Sequence, residues 1–109
     1  MAKFEYIDWL IGYFQSVVIF VFEWDSGNSK KSFVKHGITI EQIESCFYDD
    51  DILALGRQLT PRCAENRYGI IARDSSENIL FVCFTIRSGK IRPISARVAN
   101  KDEREIYEE

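Results

Sequence analysis

At 109 residues, 46% hydrophobic and 28% charged, the chain has the make-up of one folded domain; a disordered segment is excluded, and a single core under a layer or two is affordable. Its three cysteines show no CxxC spacing and it holds one histidine, so neither a disulfide framework nor a zinc or His-rich metal site is indicated, and a reducing cytoplasm is the natural setting. The net charge of −3 is uneven: residues 1–56 carry −5, residues 57–101 carry +6 and the tail carries −4.

Seven of the nine bases in the middle segment are arginine. Arginine offers planar, bidentate recognition of phosphate that lysine does not. That segment therefore predicts a surface for a polyanion, against the plainer reading of scattered arginines on solvated strand edges.

Residues 9–22 are nearly all apolar, interrupted only by Gly12, Gln15 and Ser16. A run this short falls below the roughly 20 residues that cross a bilayer, and it lacks the flanks of a secretory signal. Phe4, Ile7, Leu10, Ile11 and Phe14 predict a short amphipathic helix over residues 4–14, and the β-branched residues 17–23 predict a first strand. The functional alternative is an exposed apolar arm, binding a partner or anchoring residues 1–22 at a membrane surface.

Asp25 or Ser26 can cap a helix running to about His36, where Gly37 supplies the left-handed terminal position. Thr39, Ile40, Glu41 and Gln42 form a capping box, with Ile38 and Ile43 as its hydrophobic staple. The second helix starts at Ile40, buries Ile40, Ile43 and Phe47, and stops at Asp49, Asp50 and Asp51, whose charges oppose the helix dipole. Residues 52–55 predict a short strand, 56–66 a loop, 67–73 a strand and 74–78 a turn.

Residues 79–98 then read as a β-hairpin joined at Ser88, Gly89 and Lys90. The first run is apolar on both parities, as in a central strand covered on both faces, or one covered on one face and forming part of a ligand floor on the other. The second places Ile94, Ala96 and Val98 on one face, and Ser95 and Arg97 on the other. Pro93 lacks a donor and fits an edge or bulge position. Asn100, with Glu103 at the reach-back position, caps a charged terminal helix. The sum is an α+β domain in two layers, an N-terminal strand and two helices packed on a three- to four-stranded antiparallel sheet.

Several of these residues resemble the BrnT family, RelE-like ribonuclease toxins of bacterial type II toxin–antitoxin pairs. They are Phe22, Trp24 and Asp25; Lys35, His36, Gly37 and Ile38; Glu41 and Phe47; Arg67 and Tyr68; then Phe84 to Arg87, Ile91, Arg92, Ile94 to Arg97, Ala99, Glu103, Arg104 and Tyr107. The resemblance covers about residues 20–108. It divides the chain into an extension, residues 1–16, and a toxin domain, residues 17–109. Ser32 stands where the family usually has Asn, and the Glu-Arg-Tyr run is interrupted by Asn66. The resemblance implies an enzyme that cleaves RNA and inhibits translation in the cytoplasm without a cofactor. It also implies a BrnA-like antitoxin partner and operator DNA contacted only through the antitoxin. A family member that has lost catalysis, acting only through antitoxin binding and promoter autoregulation, is the alternative.

Metal-free RNA cleavage needs a proton acceptor, a proton donor and cations for the charge that builds on the phosphoryl oxygens. Arg67, Arg87 and Arg97 are the candidates for the last role, unless they merely pair with Glu65, Glu103 and Glu105. His36 is the one side chain of a type that titrates near neutrality, and it is a candidate acid or base; its plain alternative is capping the carbonyls ahead of Gly37. Glu65 and Tyr107 are lesser acid/base candidates. Lys35 and Arg92 are candidates for binding substrate, and Trp24 for stacking a base, unless the indole is core. Cys83 alternates with buried residues and reads as core.

Overall fold

A computed structural model describes residues 3–62 and 64–109. Their elements run β1 (Lys3–Glu5), α1 (Asp8–Ser16), α2 (Lys31–His36), α3 (Ile40–Cys46), β2 (Leu53–Thr60), β3 (Tyr68–Arg73), β4 (Ile79–Arg87), β5 (Lys90–Val98) and α4 (Lys101–Tyr107). The five strands form one antiparallel sheet in the order β1-β2-β3-β4-β5. The fold is α+β, with five strands where the sequence predicts three or four. Cys63, one of the three cysteines read above, lies outside the described residues; Cys46 and Cys83 are buried.

Local signals set most boundaries. The Thr39 hydroxyl accepts Gln42 N–H at 3.1 Å while Gln42 Oε1 accepts Thr39 N–H at 2.9 Å, the reciprocal box that starts α3. Asn100 and Glu103 start α4 in the same way. Gly37 closes α2 with φ +72°. Ser88 and Gly89 both turn left-handed, φ +52° and +76°, the geometry that a two-residue hairpin loop needs.

Four expectations give way. Residues 17–21 are not a strand; only Phe22 bridges the sheet, parallel to Ile91, with Ile91 N–H donating to Val21 O and Ile91 O accepting Glu23 N–H, each at 2.8 Å. This segment drops Phe20 into the core and leaves Val18 and Ile19 outside, so its β-branched run makes a crossing rather than a ladder. The predicted helix over 4–14 begins only at Asp8, because residues 3–5 are taken as a strand by β2. The predicted loop over 56–66 is strand as far as Thr60. Upstream of α2, residues 26–28 form a turn, with Asn28 Oδ1 accepting Asp25 N–H at 2.8 Å, so that helix starts later than predicted.

The core lies between one sheet face and helices α1 and α3. Leu10, Phe14, Phe20, Ile43, Cys46 and Phe47 meet Tyr68, Ile70, Ala72, Leu80, Val82, Phe84, Ile91 and Ala96. The Phe14, Phe20, Phe47 and Phe84 rings contact one another at 5.1–6.1 Å in edge-on or tilted pairs, which adds to their area burial. Helix α4 packs beside β3, where the Arg73 guanidinium lies 5.5 Å from the centre of the Tyr107 ring and the Tyr107 hydroxyl donates to Asp49 at 2.6 Å.

Candidate functional site

The β4–β5 register decides which side chains share a surface. Leu80, Val82, Phe84 and Ile86 pair with Val98, Ala96, Pro93 and Ile91, and of these only Val98 and Ile86 escape full burial. The alternate positions pair Phe81 with Arg97, Cys83 with Ser95, Thr85 with Arg92 and Arg87 with Lys90. Arg92 and Arg97 are five apart and would face opposite ways on a regular strand. The register shift beside Cys83 and Phe84 inserts one residue opposite them and returns both arginines to one face. Pro93 sits at that bulge on an edge strand, the position its missing donor predicts.

The rest of this edge is closed by side chains. Asn28 Nδ2 donates to Pro93 O at 2.8 Å and to Glu23 O at 3.0 Å, and Ser32 Oγ accepts Ala96 N–H at 2.8 Å. Ser32, the position of the family's usual Asn, thereby docks α2 on β5. Neither role is announced by a pattern in the sequence.

Along the arginine face the side chains fall into two groups. From the register, Arg92 opposite Thr85 and Arg97 opposite Phe81 are four β4 residues apart, about 13 Å at a strand's rise. The first group surrounds Arg92 and Arg87. Arg87 holds Glu65 with two bonds, 3.0 and 2.7 Å, and lies 3.7 Å from Glu23. Arg92 holds Asp25 with two bonds, 2.8 and 3.0 Å, and Glu23 at 3.1 Å. The Arg92 hydrogen bond, then that of Gly27 N–H, holds the Asp25 carboxyl below its ordinary range. The Arg87 hydrogen bond does the same to Glu65, helped by the charges of Arg87, Arg67 and Arg92. Arg67 therefore belongs to this group; its buried Nε has no partner among the described residues.

The second group lines a cavity of about 330 Å³ between α2 and the hairpin, walled by Lys31, Lys35, His36, Phe81, Ser95 and Arg97 among others, with no carboxylate in the wall. Arg97 lies 4.5 Å above the Phe81 ring centre and is gripped by Glu103 at 2.7 and 2.9 Å. Burial pushes the Glu103 carboxyl up, but the bonds from Arg97 and Asn100 outweigh it and leave the group below its ordinary value.

The sequence-derived set is thus split. Lys35, His36 and Arg97 share the cavity; Arg67, Arg87 and Arg92 share the acid-paired cluster. Trp24 joins neither as a free stacking surface: its Nε1 donates to Glu44 Oε2 at 2.7 Å and its ring packs on the core. Tyr107 is engaged with Asp49, and burial followed by the Asp49 hydrogen bond raises its pKa. Cys83 is buried, as read. Phe81, Lys31 and the second use of Glu103 were not legible in advance, because each depends on where α2 and α4 dock.

These groups lie on an antiparallel α+β domain whose class comes from its sequence family, the ribonuclease toxins of type II toxin–antitoxin systems. The chain belongs to the BrnT family: the family model described as "Ribonuclease toxin, BrnT, of type II toxin-antitoxin system" matches residues 24–103. That span holds every candidate site residue except Tyr107 and ends at Glu103. No curated protein matches the chain. Membership implies an antitoxin partner. Among the described residues no helix is long and apolar enough to cross a membrane.

Proposed function

We propose that this chain is a metal-independent endoribonuclease of RelE-like layout that cleaves RNA, inhibits translation in the bacterial cytoplasm and is neutralised by a BrnA-like antitoxin. Operator DNA would be reached only through the antitoxin. The observation that carries this reading is the cavity beside α2, where His36, Lys35, Lys31 and Arg97 converge with no carboxylate in the wall.

A 2′-hydroxyl there attacks its neighbouring phosphate, its proton leaves to a base, the bond to the 5′-oxygen breaks, and an acid protonates that oxygen. A 2′,3′-cyclic phosphate and a 5′-hydroxyl result. His36 carries a proton in this scheme, while Arg97 and Lys35 meet the charge on the phosphoryl oxygens. One such electrostatic donor is typically worth about 10²–10³ in rate. Arg67, Arg87 and Arg92 carry the flanking strand at the far end of the same face.

The second reading, a family member without catalysis, is favoured by one observation: Arg87, Arg92 and Arg97 are each already paired with a carboxylate. Purified protein incubated with RNA in EDTA separates the two. Cleavage to cyclic-phosphate ends, lost in His36→Ala and Arg97→Ala, supports the enzyme. Intact RNA with intact antitoxin binding supports the alternative.

A further inference from the structure

Glu103 is engaged three times. Its Oε1 accepts Asn100 N–H at 2.9 Å and Arg97 Nη1 at 2.7 Å, and its Oε2 accepts Arg97 Nη2 at 2.9 Å. The first bond is half of the capping box that starts α4, and the other two form an end-on bidentate pair. The same chain shows what the box alone requires. In α3 the corresponding position is Gln42, whose amide oxygen accepts Thr39 N–H at 2.9 Å. An amide is therefore sufficient for the cap, and the carboxylate at 103 answers to Arg97.

The Arg97 guanidinium is fixed on its end by Glu103 and on one face by Phe81. Its remaining bond is a long one, Nη1 to Val98 O at 3.4 Å. Arginine has five N–H donors, and the side edge formed by Nε and the outer hydrogen of Nη2 has no partner among the described residues. That edge has the fork geometry that fits a phosphate. Its carrier is 37% exposed, whereas the Glu103 side chain is 17% exposed. The carboxylate is thus locked in place behind a guanidinium that still faces outward.

We propose that Glu103 is a positioning residue for RNA cleavage, holding Arg97 by one edge so that its free edge meets the phosphate in the cavity beside α2. The proposal rests on the reading of that cavity as the RNA site. Orientation held before substrate arrives is what the reaction gains, because misplacement by about 1 Å costs on the order of 10²-fold in rate.

Glu103→Gln is the test, since the amide retains the cap and loses the charged pair. On a single-stranded RNA oligonucleotide, kcat should fall about 10- to 100-fold with KM changed less than about threefold. The melting point should stay close to that of wild type. Arg97→Ala is run beside it. If Arg97→Ala is inactive and Glu103→Gln keeps the wild-type kcat, the positioning role is overturned while the cavity reading stands. If Arg97→Ala cleaves normally, the cavity reading falls and the positioning role falls with it. Should Glu103→Gln not fold, ¹⁵N spectra of the wild-type protein decide: a locked pair gives separate, slowly exchanging Arg97 Nη signals, and one averaged signal overturns the proposal.

Discussion

The backbone carbonyl of Glu5 occupies the space where a Cβ on Gly56 would stand. Gly56 has φ +105° and sits at the register shift of β2, between the pairings of Ala54 with Ile70 and of Gly56 with Gly69. β1 closes directly over it. Gly56→Ala meets both a conformational penalty and a backbone collision, and the first alone is about 1–3 kcal/mol. Urea unfolding should show at least that loss, with β1 displaced; an unchanged midpoint would show that β1 does not seat on β2 as described.

The same relationship makes residues 3–16 part of the folded body. Leu10 is fully buried and Phe14 nearly so, while the Phe4 ring lies against Phe81 at 5.9 Å and over Gly69. Emptying one such core position costs about 2–5 kcal/mol, and a domain of this size has about 5–15 kcal/mol in all. A chain starting at Val17 should therefore lose the cooperative melting of the full protein. Circular dichroism on both chains checks this. Liposome co-sedimentation of the full-length protein checks the membrane-anchor alternative, and with Leu10, Phe14 and Phe20 committed to the core no binding is expected.

What could be read in advance was what depends on neighbours in sequence. The boxes at Thr39 and Asn100, the stop at Gly37, the turn at residues 74–78 and the hairpin at Ser88 and Gly89 each need only a few adjacent residues, and each forms. Residues 3–5 and 56–60 became strands because of partners tens of residues away, and residues 17–21 failed to because Phe20 and Phe22 go to the core. The site divides along the same line. The residue types were legible, but the grouping of His36, Lys35 and Arg97 depends on Ser32 docking α2, and the common face of Arg92 and Arg97 depends on a bulge of one residue.

Asp74 ties the turn after β3 to α3. Its buried carboxylate accepts Gln42 Nε2 at 2.9 Å, Ser76 N–H at 2.8 Å, and Asn78 through N–H at 2.9 Å and Nδ2 at 3.1 Å. Burial pushes its pKa up, but the bonds from Gln42, Asn78 and Ser76 together bring it below the ordinary 3.8. A depressed carboxyl stabilises the fold above its unfolded value and loses that contribution as pH falls through the folded one. Stability should accordingly drop below about pH 4. Asp74→Asn should cost about 1–3 kcal/mol at pH 7 and flatten the acid limb; parallel melts at pH 7 and pH 3 would sink this if both curves fell together.

Arg87 and Arg92 share a cluster but not a degree of exposure: their side chains are 46% and 11% exposed. Arg92 pins the crossing residues Glu23 and Asp25 to β5, and a lysine cannot reproduce its fork. Arg92→Lys should lower the melting point by several degrees, whereas Arg87→Ala, which removes a surface pair, should shift it little. The order reverses for substrate. If Arg87 meets an RNA phosphate, Arg87→Ala should weaken single-strand binding and make the plot of log K against log salt shallower by about 0.7, the value for one phosphate contact. Filter binding with the oligonucleotide over a salt series reads that slope directly. An unchanged slope for Arg87→Ala would confine the RNA path to the cavity beside α2 and leave the acid-paired cluster a structural clasp.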